Sequence, residues 1–251
     1  METKTVDINK IKVRSIGKDV AKDLIIKNHY THQCSQATIS IGIFHKNETD
    51  NPFFDPGEKL IGVIIYNTPV GRDVWKSISP SLKPGQVFEL TRLWIEDGYG
   101  KNIESYCISQ SFNWLRKNEP NIKCLISYAD PSENHLGIIY QATNWLYQKM
   151  GNSDDSFHKS LYYYSFDECK TWIHQKTIFD KYQAGSLSKL KELLPKPFWV
   201  KNISKKHRYI YILTELKKEK REILKTLKHP ILSYPKKIDD SLNAINITKY
   251  S

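Results

Sequence analysis

The 251-residue chain is 39% apolar and 12% aromatic, which excludes a compositionally disordered polymer and predicts one large domain or a domain plus an extension. No apolar run reaches the roughly 20 residues of a membrane helix, and the start METKTVDINK has no apolar stretch of the kind a secretory leader needs. The net charge of +11 is uneven, because residues 201–251 hold 13 Lys and Arg against 5 Asp and Glu.

Ile11–Ile16 reads as a strand and Lys18–Asn28 as a helix with Val20, Leu24 and Ile25 on one face. Ala37–Phe44 alternates as a strand. A polar loop over 47–58, with Pro52, Pro56 and Gly57, leads to Lys59–Tyr66, which is expected to pair back as a hairpin. Pro69–Gly85 is a long connection holding Trp75, of the length that often carries function. Val87–Ile95 (VFELTRLWI) is apolar on both faces and reads as central. Asn102 is placed to cap a helix running to Lys117. Ile122–Tyr128 is a buried strand, and Ser132 or Asn134 opens a helix on Leu136, Ile139, Thr143, Leu146 and Met150. Leu161–Phe166 is a strand, Leu187–Leu194 a short helix, His207–Thr214 a last strand and Glu215–Lys228 a charged helix, with a loose tail beyond Pro230. The order predicts an α/β fold, a mixed central sheet flanked by helices with a basic C-terminal helical extension, and a domain boundary between 1–214 and 215–251. The succession resembles that of the GNAT acyltransferase fold.

Arg92 lies mid-strand, where alternation groups it with Phe88, Leu90 and Trp94. A guanidinium there either pairs with a buried acid such as Glu89 or Asp130, or lines a polar cleft. Asp130 follows the strand ending in YAD, at the carboxyl end where ligands of open α/β sheets bind; it reads as a functional carboxylate or as a turn residue capping the next helix. His29-Tyr30-Thr31-His32 ends the first helix. His29 suits a general base with Tyr30 as a donor, and with Asp130 the two histidines make a two-His-one-carboxylate set of the kind that holds iron; exposed histidines at a helix C-terminus are the plain alternative. Gly98, Gly100, Lys101 and Asn102 join a strand to a helix N-terminus, as a phosphate-binding turn or a tight turn. Lys205, Lys206, Arg208 and Tyr209 interleave cations and rings, as in a nucleic-acid surface or an edge strand with one solvated face. Trp75, Tyr128 and Trp145 are candidates to stack on a base. Four cysteines without a CxxC suit buried thiols in a reducing cytoplasm, and the basic balance favours a polyanionic partner.

The segments NHYTH (28–32), ELTRLWIEDGYGKN (89–102), LISYADPSENHLGIIYQATNWLY (125–147), TIFDKY with SLSKLKEL (177–193) and KHRYIYIL (206–213), in this order, resemble the phage Mom family of DNA-modification proteins over roughly residues 10–214. The resemblance implies a GNAT-like enzyme that converts adenine in double-stranded DNA to N6-carbamoylmethyladenine and so protects phage DNA from host restriction. It places the family's His-Tyr pair on His29 and Tyr30, its Asp on Asp130 and its strand Arg on Arg92. It also suggests iron on His29, Tyr30 and Asp130. The glycines after Arg92 are displaced from the usual GNAT Arg/Gln-x-x-Gly-x-Gly/Ala loop, which puts acetyl-CoA in question as the donor. A glycyl donor such as glycyl-tRNA supplies every atom of the carbamoylmethyl group and would make tRNA a second partner. The alternatives are an acyl-CoA-dependent N-acetyltransferase acting on a non-DNA amine and a non-catalytic DNA-binding regulator. A cytoplasmic location in the phage-infected or prophage-bearing bacterium is expected.

Overall fold

The computed structural model describes residues 7–29, 32–47, 57–131, 135–150, 162–184, 186–194, 197–202, 206–237 and 247–250. Contacts divide the chain into two units: 1–128, 137–148 and 208–234 form the first, and 129–136, 149–207 and 235–251 the second.

The first unit is built on a mixed sheet with seven strands among the described residues. After a 3-10 turn at Ile8–Lys10, β1 (Ile11–Ser15) leads into α1 (Lys18–Asn28), β2 (Ile39–Lys46) and β3 (Glu58–Asn67). The expected β2–β3 hairpin is present, and β1 and β4 (Val87–Ile95) flank it antiparallel. The connection before β4 holds a short helix, α2 (Val74–Ile78). From β4, α3 (Ile103–Asn118) crosses over to β5 (Cys124–Ala129), which runs parallel to β4. This is the mixed, helix-flanked α/β sheet read from the sequence.

Several local expectations are corrected. On α1 the buried side chains are Ala21 and Ile25, whereas Val20 is exposed. Asn102 sits at the N-cap of α3 with φ 66 and makes no side-chain cap; its carbonyl instead accepts from Tyr106 N and Ser105 Oγ. The expected helix reaching Met150 is only α4 (Ile138–Ala142), followed by β6 (Leu146–Met150). Asn144 (φ 59) turns the chain out of the helix. Its N–H reaches the Gln141 carbonyl and the Trp145 N–H reaches that of Tyr140, both about one turn back, a Schellman stop with Asn in the left-handed position. Ser132 and Asn134, the expected helix starts, lie outside the described residues.

Strand β10 (His207–Ile212) lies between β5 and β6. Helix α7 (Lys217–Lys225) buries Ile223 in a cluster with Ile78, Leu82, Val87, Ile126 and Ile210, and the Lys228 N–H donates to the Ile78 carbonyl at 2.9 Å. Residues 217–234 are therefore packed into the first unit.

The second unit has a sheet in the order β11-β9-β7-β8, from β7 (Tyr162–Ser165), β8 (Ile173–His174), β9 (Phe198–Asn202) and β11 (Ile247–Tyr250). Its core joins Tyr164, Phe198 and Val200 to Ile178 of α5 (Gln175–Tyr182) and Leu190 of α6 (Leu187–Leu193). β11 gives a strand to a tail expected to be loose. No helix among the described residues is long and apolar enough to cross a membrane.

Candidate functional site

The parallel pairing of β4 with β5 is short: Val87, Phe88 and Glu89 face Cys124, Leu125 and Ile126. Just beyond it a side chain takes over, as Ser127 Oγ donates to the Leu90 carbonyl at 2.8 Å and accepts from the Tyr140 hydroxyl at 2.7 Å. On the other edge of β4 the register with β3 slips, so that Ile65 faces Arg92 while Tyr66 faces Leu90, and Thr91 is the extra residue. Such bulges re-aim side chains. Strict alternation separates Glu89 from Arg92; after the bulge Glu89, Thr91 and Arg92 line one cleft of about 190 Å³ together with Cys34, Ser35, Gln36, Asn67, Thr68 and Val70.

Asn67 organises the wall. Its amide donates to the Gln36 carbonyl (3.2 Å) and to Thr91 Oγ1 (2.8 Å), and its carbonyl accepts from the Thr38 N–H (2.8 Å). Arg92 donates through Nε to the Gln33 carbonyl at 3.0 Å and through one terminal nitrogen to its own neighbour, the Thr91 carbonyl, at 2.6 Å. These bonds leave donors of its five-fold fork for a ligand oxygen. The structure thus ties Arg92 to the segment that follows NHYTH. His29, 8% exposed, caps α1 with its N–H on the Ile25 carbonyl at 2.9 Å. Tyr30 lies outside the described residues. His32 is exposed with φ 46, and its Nδ1 meets the Ile26 carbonyl.

Asp130 belongs to the second unit, where its carboxylate faces Lys206 Nζ at 3.5 Å and its carbonyl accepts from the His135 N–H. Two predicted residues of different assignment, Asp130 and Lys206, are therefore an ion pair. Arg208 and Tyr209 are corrected from surface to interior: they are 7% and 0% exposed, because β10 is an inner strand rather than an edge. Arg208 donates to the Ser77 carbonyl and hydroxyl, and Tyr209 accepts from Gln141 Nε2. Lys205 lies outside the described residues. Trp145 is likewise fully buried, among Phe112, Tyr140 and Tyr211, so it does not stack on a base; Trp75 and Tyr128 remain partly exposed.

Iron would draw on His29, Tyr30 and Asp130. Asp130 already faces an ammonium group, and among the described residues no three His, Cys, Asp or Glu side chains converge. No step below passes through iron. The turn after β4 has an unusual backbone. Gly98, Gly100 and Asn102 all have positive φ (98°, 110° and 66°), which curls the backbone at the start of α3, and a Cβ on Gly98 would meet nothing within 4 Å.

Glu89, Asn67 and Thr91 were missed as site residues. Glu89 carried the same signal as Arg92, a charge inside an apolar strand, but was read only as its partner.

The four thiols differ. Cys107 and Cys124 are buried, and burial pushes both up to about 12. Cys34, in the cleft, and Cys169 are partly exposed. A disulfide reagent at pH 8 is expected to modify two thiols per native chain, Cys34 and Cys169, and four after unfolding, as counted by released chromophore. Rapid reaction of all four native thiols would contradict this burial.

The model of the Mom protein family matches residues 10–236. The methylcarbamoylase Mom of Escherichia phage Mu is 24% identical over 150 residues, 59% of this chain and 57% of that protein's length. Among solved structures, Arabidopsis thaliana NAA60 in complex with acetyl-CoA aligns over 80% of this chain and 99% of its own, at 10% identity and a TM-score of 0.44. An N-acetyltransferase from Staphylococcus aureus Mu50 aligns over 81% and 97%, at 12% identity and a TM-score of 0.39.

Proposed function

The chain belongs to the Mom protein family, and on that premise we propose that it is a transferase that converts adenine in DNA to N6-carbamoylmethyladenine, shielding the DNA from restriction. The observation that supports this best is the β4 cleft, where Glu89, Thr91 and Arg92 converge at the end of the parallel ladder.

Adenine inside a duplex has its N6 in a base pair, so the base must leave the stack, at a cost of a few kcal/mol (roughly). Arg92, held from behind by the Gln33 and Thr91 carbonyls, directs its other N–H groups at the carbonyl oxygen of the incoming group. Negative charge grows on that oxygen as N6 attacks, and a prepositioned donor stabilises it. His29 takes the N6 proton, with Tyr30 as its donor partner. Asp130, paired with Lys206 within the second unit, is the further carboxylate to which this reading gives a role.

Two donors are compatible with these roles. An acyl-CoA would place its phosphates on the Gly98–Asn102 turn, with Lys101 beside them; an acetyl group alone lacks the product's amide nitrogen. A glycyl ester such as glycyl-tRNA balances. N6 attacks the glycyl carbonyl, the ester oxygen leaves with a proton, and a glycyl amide of adenine remains. Its free amine then attacks C6 and displaces the amide nitrogen, so that N6 is now the former glycyl nitrogen and the chain ends in a carboxamide. No atom or electron is left over.

Incubating the protein and DNA with donor labelled in turn as glycyl-tRNA and acetyl-CoA tests this reading. Label in a carbamoylmethyl nucleoside from the glycyl donor is expected; label transfer only from acetyl-CoA would remove the glycyl route. The acetyltransferase alternative predicts acetyl-CoA turnover without DNA.

A further inference from the structure

Register sorts the sheet of the second unit into two faces. Tyr164 pairs with Val200 and Ile173, and Phe198 with Tyr250, on the side packed against α5 and α6. On the opposite side His174, Tyr163, Lys201 and Ile247 form one row across β8, β7, β9 and β11, and Ser165, Trp199 and Lys249 form the next.

These rows are aromatic and basic together. Lys201 Nζ lies 4.3 Å from the ring of Trp172 and 5.6 Å from that of Tyr163. Lys249 Nζ lies 5.3 Å from the ring of Trp199. His174 meets Tyr163 edge-on at 5.6 Å. Tyr163, Trp172, Trp199 and Lys201 are partly exposed and Lys249 is exposed. The rows themselves hold no Asp or Glu; the nearest carboxylate described beside them is that of Asp167, which accepts from the buried Ser165 hydroxyl at 2.7 Å. A sheet with one face on helices needs only a polar outer face; this one instead presents rings, each beside an ammonium group.

We infer that this face binds single-stranded DNA. Bases stack on Tyr163 and Trp199, with Trp172 at the edge, while Lys201 and Lys249 meet the phosphates between them. The flat rings can take only unpaired bases, because paired bases in a duplex offer edges. The choice of DNA over RNA rests on the reading above, in which a base is taken out of the duplex and its strand is locally unpaired.

Titration of the full chain with a 15-nucleotide single strand, the same sequence as duplex, and the RNA equivalent tests it, with tryptophan fluorescence and anisotropy as readouts. The DNA single strand is expected to bind tightest and to quench tryptophan emission. Tyr163→Ala and Trp199→Ala are each expected to weaken it about 5- to 100-fold. Trp199→Phe is expected to retain most of the affinity, which separates stacking from misfolding. Lys201→Gln is expected to lower the slope of log K against log salt by about 0.7. Unchanged binding by both alanine variants, or tighter binding of duplex or RNA, overturns the inference. Modified nucleosides from cells expressing the wild-type chain report on the chemistry separately: modification without ring-dependent binding sinks only the platform, and ring-dependent binding without modification sinks only the chemical reading.

Discussion

Arg92→Ala is expected to cut the yield of modified adenine by about a hundredfold or more, the scale of losing one preorganised donor to a developing oxyanion. The side chain is partly exposed in the cleft, and its bonds to the Gln33 and Thr91 carbonyls orient the guanidinium without exhausting its donors. Arg92→Lys keeps the charge but loses the planar fork that reaches two carbonyls and a ligand together, so most of the loss is expected there too. A purely structural arginine makes a different prediction. Each of its hydrogen bonds is worth about 0.5–1.5 kcal/mol, so the melting temperature would fall and activity would fall only with the folded fraction. Nucleoside quantification beside thermal unfolding separates the two outcomes. Wild-type turnover in a stable Arg92→Ala protein would remove Arg92 from the chemistry.

Gly137→Ala is expected to destabilise the first unit by about 3 kcal/mol. Gly137 precedes α4 with φ +73, a conformation that costs a residue with a Cβ about 1–2 kcal/mol. Its Cβ would also fall 2.5 Å from the Tyr209 ring and 3.0 Å from that of Tyr140, and overpacking a filled core costs about 1–3 kcal/mol more. Tyr140 cannot yield freely, because its hydroxyl is bound to the Ser127 side chain that bridges to β4. Gly85→Ala isolates the backbone part: φ is +79, but the nearest atom is Asn121 Nδ2 at 3.7 Å. Its expected cost is about 1 kcal/mol. Urea midpoints for the two variants check both numbers, and equal small shifts would contradict the packing around Tyr209.

The readable parts of this fold are those where one chemical pattern fills a whole element. Alternation in ATISIGIF and KLIGVIIY is enough for the β2–β3 hairpin, and a double-sided apolar run places β4 in the middle of the sheet. The pattern from Leu136 to Met150 misled because spacings of three and four continue past Asn144, where a left-handed residue stops the helix. The second sheet is hidden for another reason. Its strands span two to five residues, and β11 finds β9 about 50 positions away, so no local signal marks the pairing. KHRY looked like a solvated edge because nothing local shows that β10 is flanked on both sides. In the cleft, Arg92 was legible as a charge inside an apolar strand. Asn67, polar at the end of KLIGVIIYN, and Thr91, set by a bulge, depend on how two strands meet.

The most direct test of the central claim is mass spectrometry of nucleosides from DNA of cells expressing the chain. A deoxyadenosine species heavier by the carbamoylmethyl group is expected, absent when Arg92→Ala is expressed at the same level. An adenine pool indistinguishable from that of cells without the protein would contradict it.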